Sequence, residues 1–362
     1  MKELGIGIVG AGAIGRTHIA AIRAVDAVDL CGIVEPHQET AQKLKGEGLP
    51  VCADLDALIA SRPVGVIVAV PNDLHLPVAT ALLHAGIAVL VEKPLADTSA
   101  HARQIFETSQ KCGVPGLVGH HRRYNPIIRA ARSVVTSGDF GDLVSGNVSY
   151  CVYKPEDYFM PDWRRSAEAG GPLLINLIHE IDLLHFLFGP ITQVAALTSN
   201  ARRHFAVEDT AGAVLRFASG GIVCATATDA AVGPWCWDIT AGENLARFPA
   251  HDAVSHSFSG TRRGFSLPDM KVWTHDGAPD WTKKMSSSVT LVGHEDAYER
   301  QILHFADVIA GKADPIASLE DGLANVTIIE AIKAAAQENR VIDIDAPQTL
   351  SPPDSVANGG LF

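Results

Sequence analysis

Short apolar runs alternate with amphipathic stretches over the first third of the chain. The apolar runs predict strands at residues 5–9, 30–34, 64–70, 87–91 and 117–119. The stretches between them predict helices at residues 16–24, 38–45, 54–61, 76–85 and 99–112. Runs this apolar are typical of parallel strands covered on both faces, and strand–helix alternation is typical of βα units. We therefore predict a doubly wound parallel sheet for residues 1–122.

The pattern changes after Tyr124, where the alternating segments become longer. They predict strands at residues 143–152, 211–217, 221–228 and 235–241, and helices at residues 173–188, 297–310 and 320–337. Strands that alternate in this way suit an open, mainly antiparallel sheet. Residues 249–284 carry no pattern from which elements can be predicted. We predict a second α/β domain over residues 123–345, followed by a loosely held tail at 346–362.

Length, charge and cysteine usage narrow the class of protein. The 362 residues are enough for two domains. A net charge of −12 without a basic stripe argues against nucleic acid and anionic membranes as partners. The chain has no apolar stretch of about 18 residues, no signal-peptide pattern, and six scattered cysteines without a Cys-x-x-Cys pair. We therefore expect a cytoplasmic protein.

A glycine-rich turn joins the first predicted strand to the first predicted helix. Its residues are Gly10, Ala11, Gly12, Ala13, Ile14 and Gly15. In this pattern the first glycine permits the tight turn, the second lets a pyrophosphate approach the backbone, and the third lets helix and strand pack closely. We predict a Rossmann dinucleotide site here, with Gly10, Gly12, Ala13, Ile14 and Gly15 at the cofactor.

Glu35 follows the second strand, 20 residues beyond Gly15. An acidic residue at this distance binds the adenosine ribose hydroxyls. A carboxylate there would repel a 2′-phosphate, and the next three residues include no arginine to receive one. The sequence therefore predicts NAD in preference to NADP.

Polar residues follow two of the predicted parallel strands. Pro71, Asn72 and His75 come after residues 64–70, and Glu92 and Lys93 come after residues 87–91. Ligands of open parallel sheets lie beyond the carboxyl ends of the strands. We predict that Lys93, followed by a proline, is held at this rim beside the cofactor; a solvated rim lysine is the alternative.

One predicted helix of the second domain carries polar residues on an apolar background. Asn176, His179 and Asp182 are spaced by three residues and share one helix face. We predict that this face lines a cavity. Asp182 would either orient the imidazole of His179 or cap a neighbouring backbone segment, and the sequence leaves both open.

Five motifs in order resemble the Gfo/Idh/MocA family of NAD(P)-dependent dehydrogenases, over residues 1 to about 340. They are Gly-x-Gly-x-x-Gly, Pro-Asn-x-x-His, Glu-Lys-Pro, Gly-x-x-Arg-Arg-Tyr-x-Pro and Gly-Gly…His-x-x-Asp. The resemblance implies a Rossmann domain and an α/β domain whose open sheet forms the interface of a homodimer or homotetramer. It also implies roles for single residues. These are the catalytic lysine for Lys93, a ribose contact for Glu92, the nicotinamide side for Pro71, Asn72 and His75, and proton handling at the substrate for His179.

The chain departs from the family pattern beside His179. Many family members carry an aspartate four residues before this histidine, and this chain has Ile175 there. Asn176 could hydrogen-bond a substrate hydroxyl, but it cannot exchange protons. More of the proton handling is therefore expected of Lys93 and His179.

Further candidates come from two polar clusters. We predict that His121, Arg122 and Asn176 contact substrate, and that Arg122 also approaches the cofactor. Because similar Trp-Arg pairs in the family approach the nicotinamide and substrate, the resemblance implies that Tyr158 and Arg164 contact substrate and that Trp163 approaches the cofactor. Arg122 and Arg123 could bind a substrate carboxylate or pair across the domain interface. Trp235 and Trp237 alternate on a predicted strand and are expected in the core or an interface.

A metal site is the rival use of the fifteen histidines. No His-Glu-x-x-His motif occurs, and His179 with Asp182 supplies only two candidate ligands. We expect no catalytic metal.

These features predict an NAD-dependent dehydrogenase that oxidises a secondary hydroxyl of a sugar, cyclitol or related polyol. Lys93 is the predicted general acid/base, assisted by His179. The alternatives are a dehydrogenase of carboxylated cis-dihydrodiols, a glycosidase-like enzyme that retains its NAD, and a non-catalytic NAD-sensing regulator.

Overall fold

The first domain is built on a five-stranded parallel sheet in the order β2-β1-β3-β4-β5. The computed structural model describes residues 4–345, so the predicted tail at 346–362 lies outside the described residues. The strands are β1 (Leu4–Val9), β2 (Val28–Val34), β3 (Gly65–Val68), β4 (Ala88–Val91) and β5 (Gly116–Val118). The helices are α1 (Ala13–Ala24), α2 (Gln38–Gly46), α3 (Leu55–Ala60), α4 (His75–His84) and α5 (Ser99–Cys112). The predicted Rossmann sheet is confirmed, and β3 and β4 are buried along their whole length.

Local signals set the ends of these helices. The Thr98 side chain accepts from the backbone N–H of His101 and begins α5, and Gly113 ends it at φ 65°. The Asp54 carboxylate likewise accepts from the backbone N–H of Ala57 at the start of α3. Because these signals lie within a few residues of each helix end, the sequence predicts α3 and α5 well.

The second domain is built on a nine-stranded sheet in the order β13-β12-β11-β10-β6-β9-β8-β7-β14. Its strands are β6 (Leu143–Cys151), β7 (Ile191–Ser199), β8 (Thr210–Phe217), β9 (Ile222–Thr228), β10 (His256–Gly260), β11 (Arg263–Leu267), β12 (Lys271–Thr274), β13 (Ser286–Val289) and β14 (Ile342–Asp343). β6 and β9 pair in parallel, and the other neighbours pair antiparallel. The prediction of a mainly antiparallel sheet is confirmed.

Helices cover one face of this sheet. They are α6 (Pro126–Thr136), α7 (Ile178–Phe188), the short α8 (Trp237–Thr240) and α10 (Leu319–Glu338), whereas α9 (Ala297–Ile309) packs in the core of the first domain. Buried side chains of α6, α7 and α10 form one core with the inward side chains of β6 to β12. The other face carries exposed apolar residues, among them Val214 and Leu197.

The prediction of a strand at residues 235–241 was wrong. The segment contains α8, in which Trp237 is fully buried, whereas Trp235 is half exposed. The two tryptophans therefore do not alternate on a strand, because burial of the Trp237 ring in the core overrides the local pattern. The unpredicted region 249–284 contributes β10, β11 and β12.

The helix predicted over residues 173–188 begins with a π-helical turn, Leu173–Leu177, and continues as α7. Isolated π-helical turns are frequent at functional sites. This one places Asn176 and the carbonyl group of Ile175 at the end of α7 that bears His179.

The last two helices return to the first domain. Ile302 and Phe305 of α9 pack in the core on one side of the parallel sheet, and Leu319 and Leu323 of α10 pack on the other. Close approach is possible at Gly65, where an added Cβ would lie 2.8 Å from the Phe305 ring. The two domains are thereby held together around the cleft between them. Among residues 4–345, no helix has both the length and the apolar character needed to cross a membrane.

Candidate active site

The glycine turn has the shape of a phosphate cradle. Gly10 lies at φ 93°, and a Cβ there would collide with the carbonyl oxygen of Ala69; a Cβ at Gly15 would collide with that of Gly10. A Cβ at Gly12 would meet nothing within 4 Å. Gly10 and Gly15 are thus needed by the turn itself, whereas Gly12 leaves open space at the start of α1. Ala13 and Ile14 form the first residues of that helix, whose free N–H groups suit a pyrophosphate.

Glu35 is fixed beside this turn at the end of β2. Its two carboxylate oxygens accept from the backbone N–H groups of Ala11 and His37, both at 2.8 Å. Each oxygen keeps a free lone pair, so the carboxylate can still accept hydrogen bonds from ribose hydroxyls.

The three residues after β3 that were predicted to line the nicotinamide differ in their burial. Pro71 is exposed and Asn72 is half-buried at the rim. His75 is fully buried, and its ring nitrogens lie 2.9 Å from the carbonyl oxygens of Val70 and Pro94. The structure therefore places His75 inside the protein, where it ties together the segments after β3 and β4, and not in the cleft.

Glu92 also lies inside the protein. Its Oε1 is 2.7 Å from Nε2 of the buried His18, and its Oε2 accepts from the backbone N–H of Lys93 at 3.1 Å. The absence of a side chain at Gly119 makes room, since a Cβ there would lie 2.8 Å from the carboxylate. Burial alone would raise the pKa of Glu92, but the His18 hydrogen bond holds it below its usual value. The structure thus shows Glu92 in a buried pair with His18, and its predicted ribose contact stays a prediction.

Lys93 is half-buried at the end of β4 and reaches across the cleft. Its Nζ donates to the carbonyl oxygen of Ile175 at 3.1 Å. Burial lowers the pKa of Lys93, and the charge of Arg122 lowers it further, while Glu92 and Asp238 oppose the shift. A lysine whose pKa is lowered in this way gives up its proton more readily than an exposed lysine, which suits it to general acid/base work.

His179 lies beside Lys93 among other imidazole rings. Its ring meets those of His121 and His120 edge to face, with centroids 5.6 and 6.2 Å away. Among the described residues its buried Nδ1 has no hydrogen-bond partner. Burial lowers the pKa of His179 well below its usual value, with a further contribution from the charge of Lys93. The ring is therefore neutral at pH 7.

Asn176 is part of a buried polar network. Its Oδ1 accepts from Nζ of Lys154 at 2.6 Å, and its Nδ2 donates to the hydroxyl of Tyr150 at 2.7 Å. Burial lowers the pKa of Lys154 to about 8, against the opposing charge of Asp229. A second lysine thus stands near Lys93.

The two adjacent arginines are engaged by carboxylates of this chain. Arg122 donates to Glu180 at 2.7 Å and to Asp238 at 2.8 Å. Arg123 donates to both oxygens of Asp182. Of the two predicted uses of the arginines, pairing within the chain is the one observed. Arg122 is buried, and its predicted approach to the cofactor stays a prediction.

Both interpretations of Asp182 were wrong. Its carboxylate accepts from Arg123 and from Nδ2 of Asn325 at 2.8 Å. Within the described residues 4–345 it makes no hydrogen bond to the His179 ring or to a backbone N–H group. Arg123 and Asn325 come from residues far away in sequence, so the spacing within the helix could not reveal them.

The remaining candidates, Tyr158, Trp163 and Arg164, lie together. The Arg164 guanidinium lies 4.0 Å from the ring centroid of Tyr158 and 5.1 Å from that of Trp163. Nζ of Lys154 lies 4.6 Å from the Tyr158 centroid. Tyr158 therefore joins the network of Asn176, whereas Trp163 is half exposed at the surface.

His121 is held from two sides. Its ring stacks on Tyr298 at 4.3 Å, and its Nε2 lies 3.8 Å from Oε2 of Glu243. Burial acts to raise the pKa of Glu243, but the interaction with His121 lowers it to about 2. His121 thus stands beside His179 with a carboxylate behind it.

Comparison with protein families identifies the chain. Residues 4–120 match the NAD-binding Rossmann fold of an oxidoreductase family, and residues 132–344 match the C-terminal α/β domain of the same family. The chain belongs to the Gfo/Idh/MocA oxidoreductase family. It is therefore an oxidoreductase whose N-terminal domain is an NAD-binding Rossmann domain.

Similar Gfo/Idh/MocA proteins include sugar enzymes. The chain is 24% identical to D-apiose dehydrogenase of Paraburkholderia graminis, covering 98% of this chain and 93% of that protein. It is 29% identical to 1,5-anhydro-D-fructose reductase of Ensifer adhaerens, covering 91% and 96%. The WlbA dehydrogenase of Bordetella pertussis, solved with NADH and UDP-GlcNAcA, has a TM-score of 0.77 at 21% identity, covering 96% of this chain and all of that one. That last likeness establishes a common fold.

Several residues of this Gfo/Idh/MocA site were missed by the sequence analysis: Tyr150, Lys154, Glu180, Asp238, Glu243 and Tyr298. Lys154 had a signal, because Lys154-Pro155 after β6 has the same order as Lys93-Pro94 after β4. Asp238 was missed because residues 235–241 were wrongly predicted to form a strand. Among residues 4–345, no group of three or more His, Cys, Asp or Glu side chains could hold a metal ion.

Proposed function

We propose that the chain is an NAD-dependent dehydrogenase that oxidises a secondary hydroxyl of a sugar, cyclitol or related polyol. The observation that carries the proposal is the placement of Lys93. It stands at the carboxyl end of β4, where the Rossmann fold presents its ligand, and its Nζ meets the turn that leads to His179. The names of the sugar-oxidising and sugar-reducing relatives support the substrate class.

The residues that would hold the dinucleotide are those of the glycine turn together with Glu35. Gly12, Ala13 and Ile14 leave space and N–H groups for the pyrophosphate, and Glu35 accepts from the adenosine ribose. When bound, the nicotinamide accepts a hydride from the carbon that carries the reacting hydroxyl. The carboxylate of Glu35 disfavours a 2′-phosphate, so NAD is proposed in preference to NADP.

Lys93 takes the proton of the reacting hydroxyl. Burial favours its neutral amine, which has the lone pair that a general base needs. In the reverse direction the ammonium form returns the proton.

His179 assists by fixing the substrate. A ring whose pKa lies well below its usual value is a poor store for a proton but a good hydrogen-bond partner when neutral. We assign it to orient the reacting hydroxyl toward Lys93.

The open face of the nine-stranded sheet is the proposed contact between copies of this chain, in a homodimer or homotetramer. Leu197 and Val214 are exposed there on neighbouring strands, and the helices of the second domain lie on the other face. An uncovered sheet face with apolar side chains is typical of an interface. Replacing Val214 by Glu is expected to lower the mass measured by light scattering. The control is Val232→Glu, at an exposed position outside the sheet, and equal masses for wild type and Val214→Glu would contradict the interface.

We propose that the enzyme acts in the cytoplasm. None of its six cysteines is paired in a disulfide. Free thiols of this number are usual in a reducing compartment. Fractionation of the cells that make the protein tests this assignment.

The alternatives predict different behaviour. In the dihydrodiol alternative, the two arginines would bind the carboxylate of the substrate. Both arginines are instead paired with carboxylates of this chain. A glycosidase-like enzyme with retained NAD would leave no net reduced cofactor, and a sensor would bind NAD without turnover.

A substrate screen tests the proposal. NAD⁺ reduction is followed by absorbance with sugars, inositols, sugar acids and dihydrodiols, for the wild type, Lys93→Ala and the exposed-lysine control Lys111→Ala. We expect turnover with a polyol that is lost in Lys93→Ala and kept in Lys111→Ala. Full activity in Lys93→Ala would overturn the assignment of the base, and tight NAD binding without any turnover would favour a sensor.

A further inference from the structure

Two lysines are held by neighbouring residues of the π-helical turn. Lys93 donates to the backbone carbonyl oxygen of Ile175, and Nζ of Lys154 donates to Oδ1 of Asn176 at 2.6 Å. Both acceptors are uncharged, so the turn supplies no anion to balance the two amines. Lys154 is only 8% exposed, and an ammonium group with so little water around it requires a compensating negative charge.

The carboxylate nearest to Lys154 supplies this charge only in part. Oδ2 of Asp229 lies 3.7 Å from Nζ of Lys154, whereas its Oδ1 accepts from Nε of Arg203 at the shorter distance of 2.9 Å. Asp229 is therefore shared between two cations. Burial lowers the pKa of Lys154 to about 8, so its ammonium form still prevails at pH 7. This ammonium group has three N–H donors, and the bond to Asn176 uses one of them.

Arg164 brings a second cation to the same place. Its guanidinium lies 4.0 Å from the ring centroid of Tyr158, and Nζ of Lys154 lies 4.6 Å from that centroid. Within the described part of the chain, Arg164 forms no ion pair, and its buried Nε has no hydrogen-bond partner. Its Nη1 donates to the backbone carbonyl oxygen of Tyr158, which carries no charge. An arginine without a carboxylate partner, beside a buried lysine, is suited to bind an anion.

We propose that Lys154 and Arg164, placed together on the ring of Tyr158, bind a carboxylate of the substrate, so that the polyol oxidised by this chain is a sugar acid. The inference rests on the proposed dehydrogenase function, because it names the substrate class of that site. The free N–H groups of the two side chains donate to the carboxylate oxygens. Arg164 is only partly buried, so the subsite opens to solvent on its side. A neutral sugar offers no charge to this subsite and leaves both cations unbalanced.

Binding of matched sugars tests the proposal. Isothermal titration calorimetry on the full chain with NADH compares D-glucuronate with D-glucose and D-galacturonate with D-galactose. We expect at least one acid to bind about tenfold or more tightly than its neutral partner, the range for hydrogen bonds between charged groups. D-glucose 6-phosphate carries a different anion on the first ring. If neither acid exceeds its neutral partner, or if the phosphate binds more tightly than the acids, the assignment of a carboxylate subsite is overturned.

Single variants show whether the two cations cause the preference. Lys154→Gln removes the charge but keeps an N–H donor for Asn176, and Arg164→Gln removes the charge at the less buried residue. Each is expected to lose about tenfold in affinity for the acid and to keep its affinity for the neutral sugar. Lys154→Arg retains the charge and is expected to retain the preference.

Arg165→Gln is the matched control, because Arg165 is the adjacent arginine and is exposed and paired with Asp162. A preference for the acid that survives in Lys154→Gln and Arg164→Gln, or that is lost equally in Arg165→Gln, would contradict the proposal. If Lys154→Gln does not fold, Arg164→Gln decides. The titration needs no turnover, so a failed substrate screen and a missing acid preference are separate outcomes.

Discussion

Nζ of Lys93 lies 3.1 Å from the backbone carbonyl oxygen of Ile175. A carbonyl group accepts a hydrogen bond from either form of the lysine but carries no charge that would favour the ammonium. The carbonyl group of Ile175 therefore holds the lysine in place without placing a negative charge beside it. An aspartate at this residue would do both.

Introducing that aspartate should change the pH dependence in a known direction. In Ile175→Asp the added negative charge favours the ammonium form of Lys93. The midpoint of Lys93 titration, measured by the pH dependence of its acetylation with acetic anhydride and mass spectrometry of the digest, is therefore expected to rise by about one unit. Activity at neutral pH falls, and it recovers as the pH is raised. Ile175→Asn is the uncharged control of similar size, and equal midpoints in the two variants would mean that a charge at residue 175 does not reach Lys93.

The parts of the site that could be predicted from sequence are those set by neighbours in the chain. The spacing from Gly15 to Glu35 and the position of Lys93 after an apolar strand are local features of the sequence. In the structure Gly15 lies in the glycine turn, Glu35 at the end of β2 and Lys93 at the end of β4, as these features predict. Each depends on one strand and the turn that follows it.

The parts that could not be predicted depend on residues brought together by the fold. Arg122 meets Asp238, which is 116 residues away in the chain, and Asp182 meets Asn325, which is 143 residues away. No periodicity within one element carries such a pairing. His75 was likewise expected in the cleft, because the sequence does not show that its ring nitrogens lie against two backbone carbonyl oxygens.

Gly12 and Gly15 should respond differently to a side chain. A Cβ at Gly12 meets nothing within 4 Å, so Gly12→Val is expected to keep its stability within about 0.5 kcal/mol. It should nevertheless weaken NAD binding at least about tenfold, because the side chain fills the space for the pyrophosphate. Gly15→Ala should instead destabilise the fold by about 1–3 kcal/mol, since its Cβ collides with backbone.

Thermal unfolding and a fluorescence titration with NADH separate the two effects. If Gly12→Val bound NADH as tightly as the wild type, the pyrophosphate could not lie at the start of α1. If Gly15→Ala unfolded like the wild type, the turn would have to differ from the one described.

Glu35 should control the choice between NAD and NADP. Its carboxylate is fixed by two backbone N–H groups at 2.8 Å, so its removal leaves a defined gap at the ribose. In Glu35→Ala we expect NAD affinity to fall by about 10- to 100-fold, the range for a lost hydrogen bond to a charged group. NADP affinity should fall less or rise, because the repulsion of its 2′-phosphate is also removed.

The matched control is Glu39→Ala, an exposed acidic residue in the first turn of α2. Dissociation constants for NADH and NADPH are measured on both variants. A constant ratio of the two affinities in Glu35→Ala would argue that the cofactor is selected elsewhere.

The buried pair of His18 and Glu92 should be a large contributor to stability. Their side chains are 0% and 7% exposed, and removing one partner of such a pair leaves the other charge buried alone. His18→Leu is expected to cost about 3–5 kcal/mol of unfolding free energy at neutral pH. Arg16→Ala is the control, because it removes an exposed ion pair with Glu47, which contributes about 1 kcal/mol or less.

The sign of the pH dependence follows from Glu92. Its pKa in the folded wild type is held below the usual value, so its stabilising contribution is present above that usual value and is lost as the pH falls through the lower, folded-state pKa. In His18→Leu the hydrogen bond and charge of His18 are lost, and the smaller effects of Lys93 and His121 are left to oppose burial. The pKa of Glu92 therefore rises, and the acid relieves the penalty by taking up a proton. The gap in unfolding free energy between wild type and His18→Leu, measured by urea denaturation, should therefore begin to narrow above a pH of about 4.5, where Glu92 of the variant takes up its proton, and narrow further below that pH. A gap that stays constant from neutral to acid pH would mean that Glu92 does not depend on His18 for its charge.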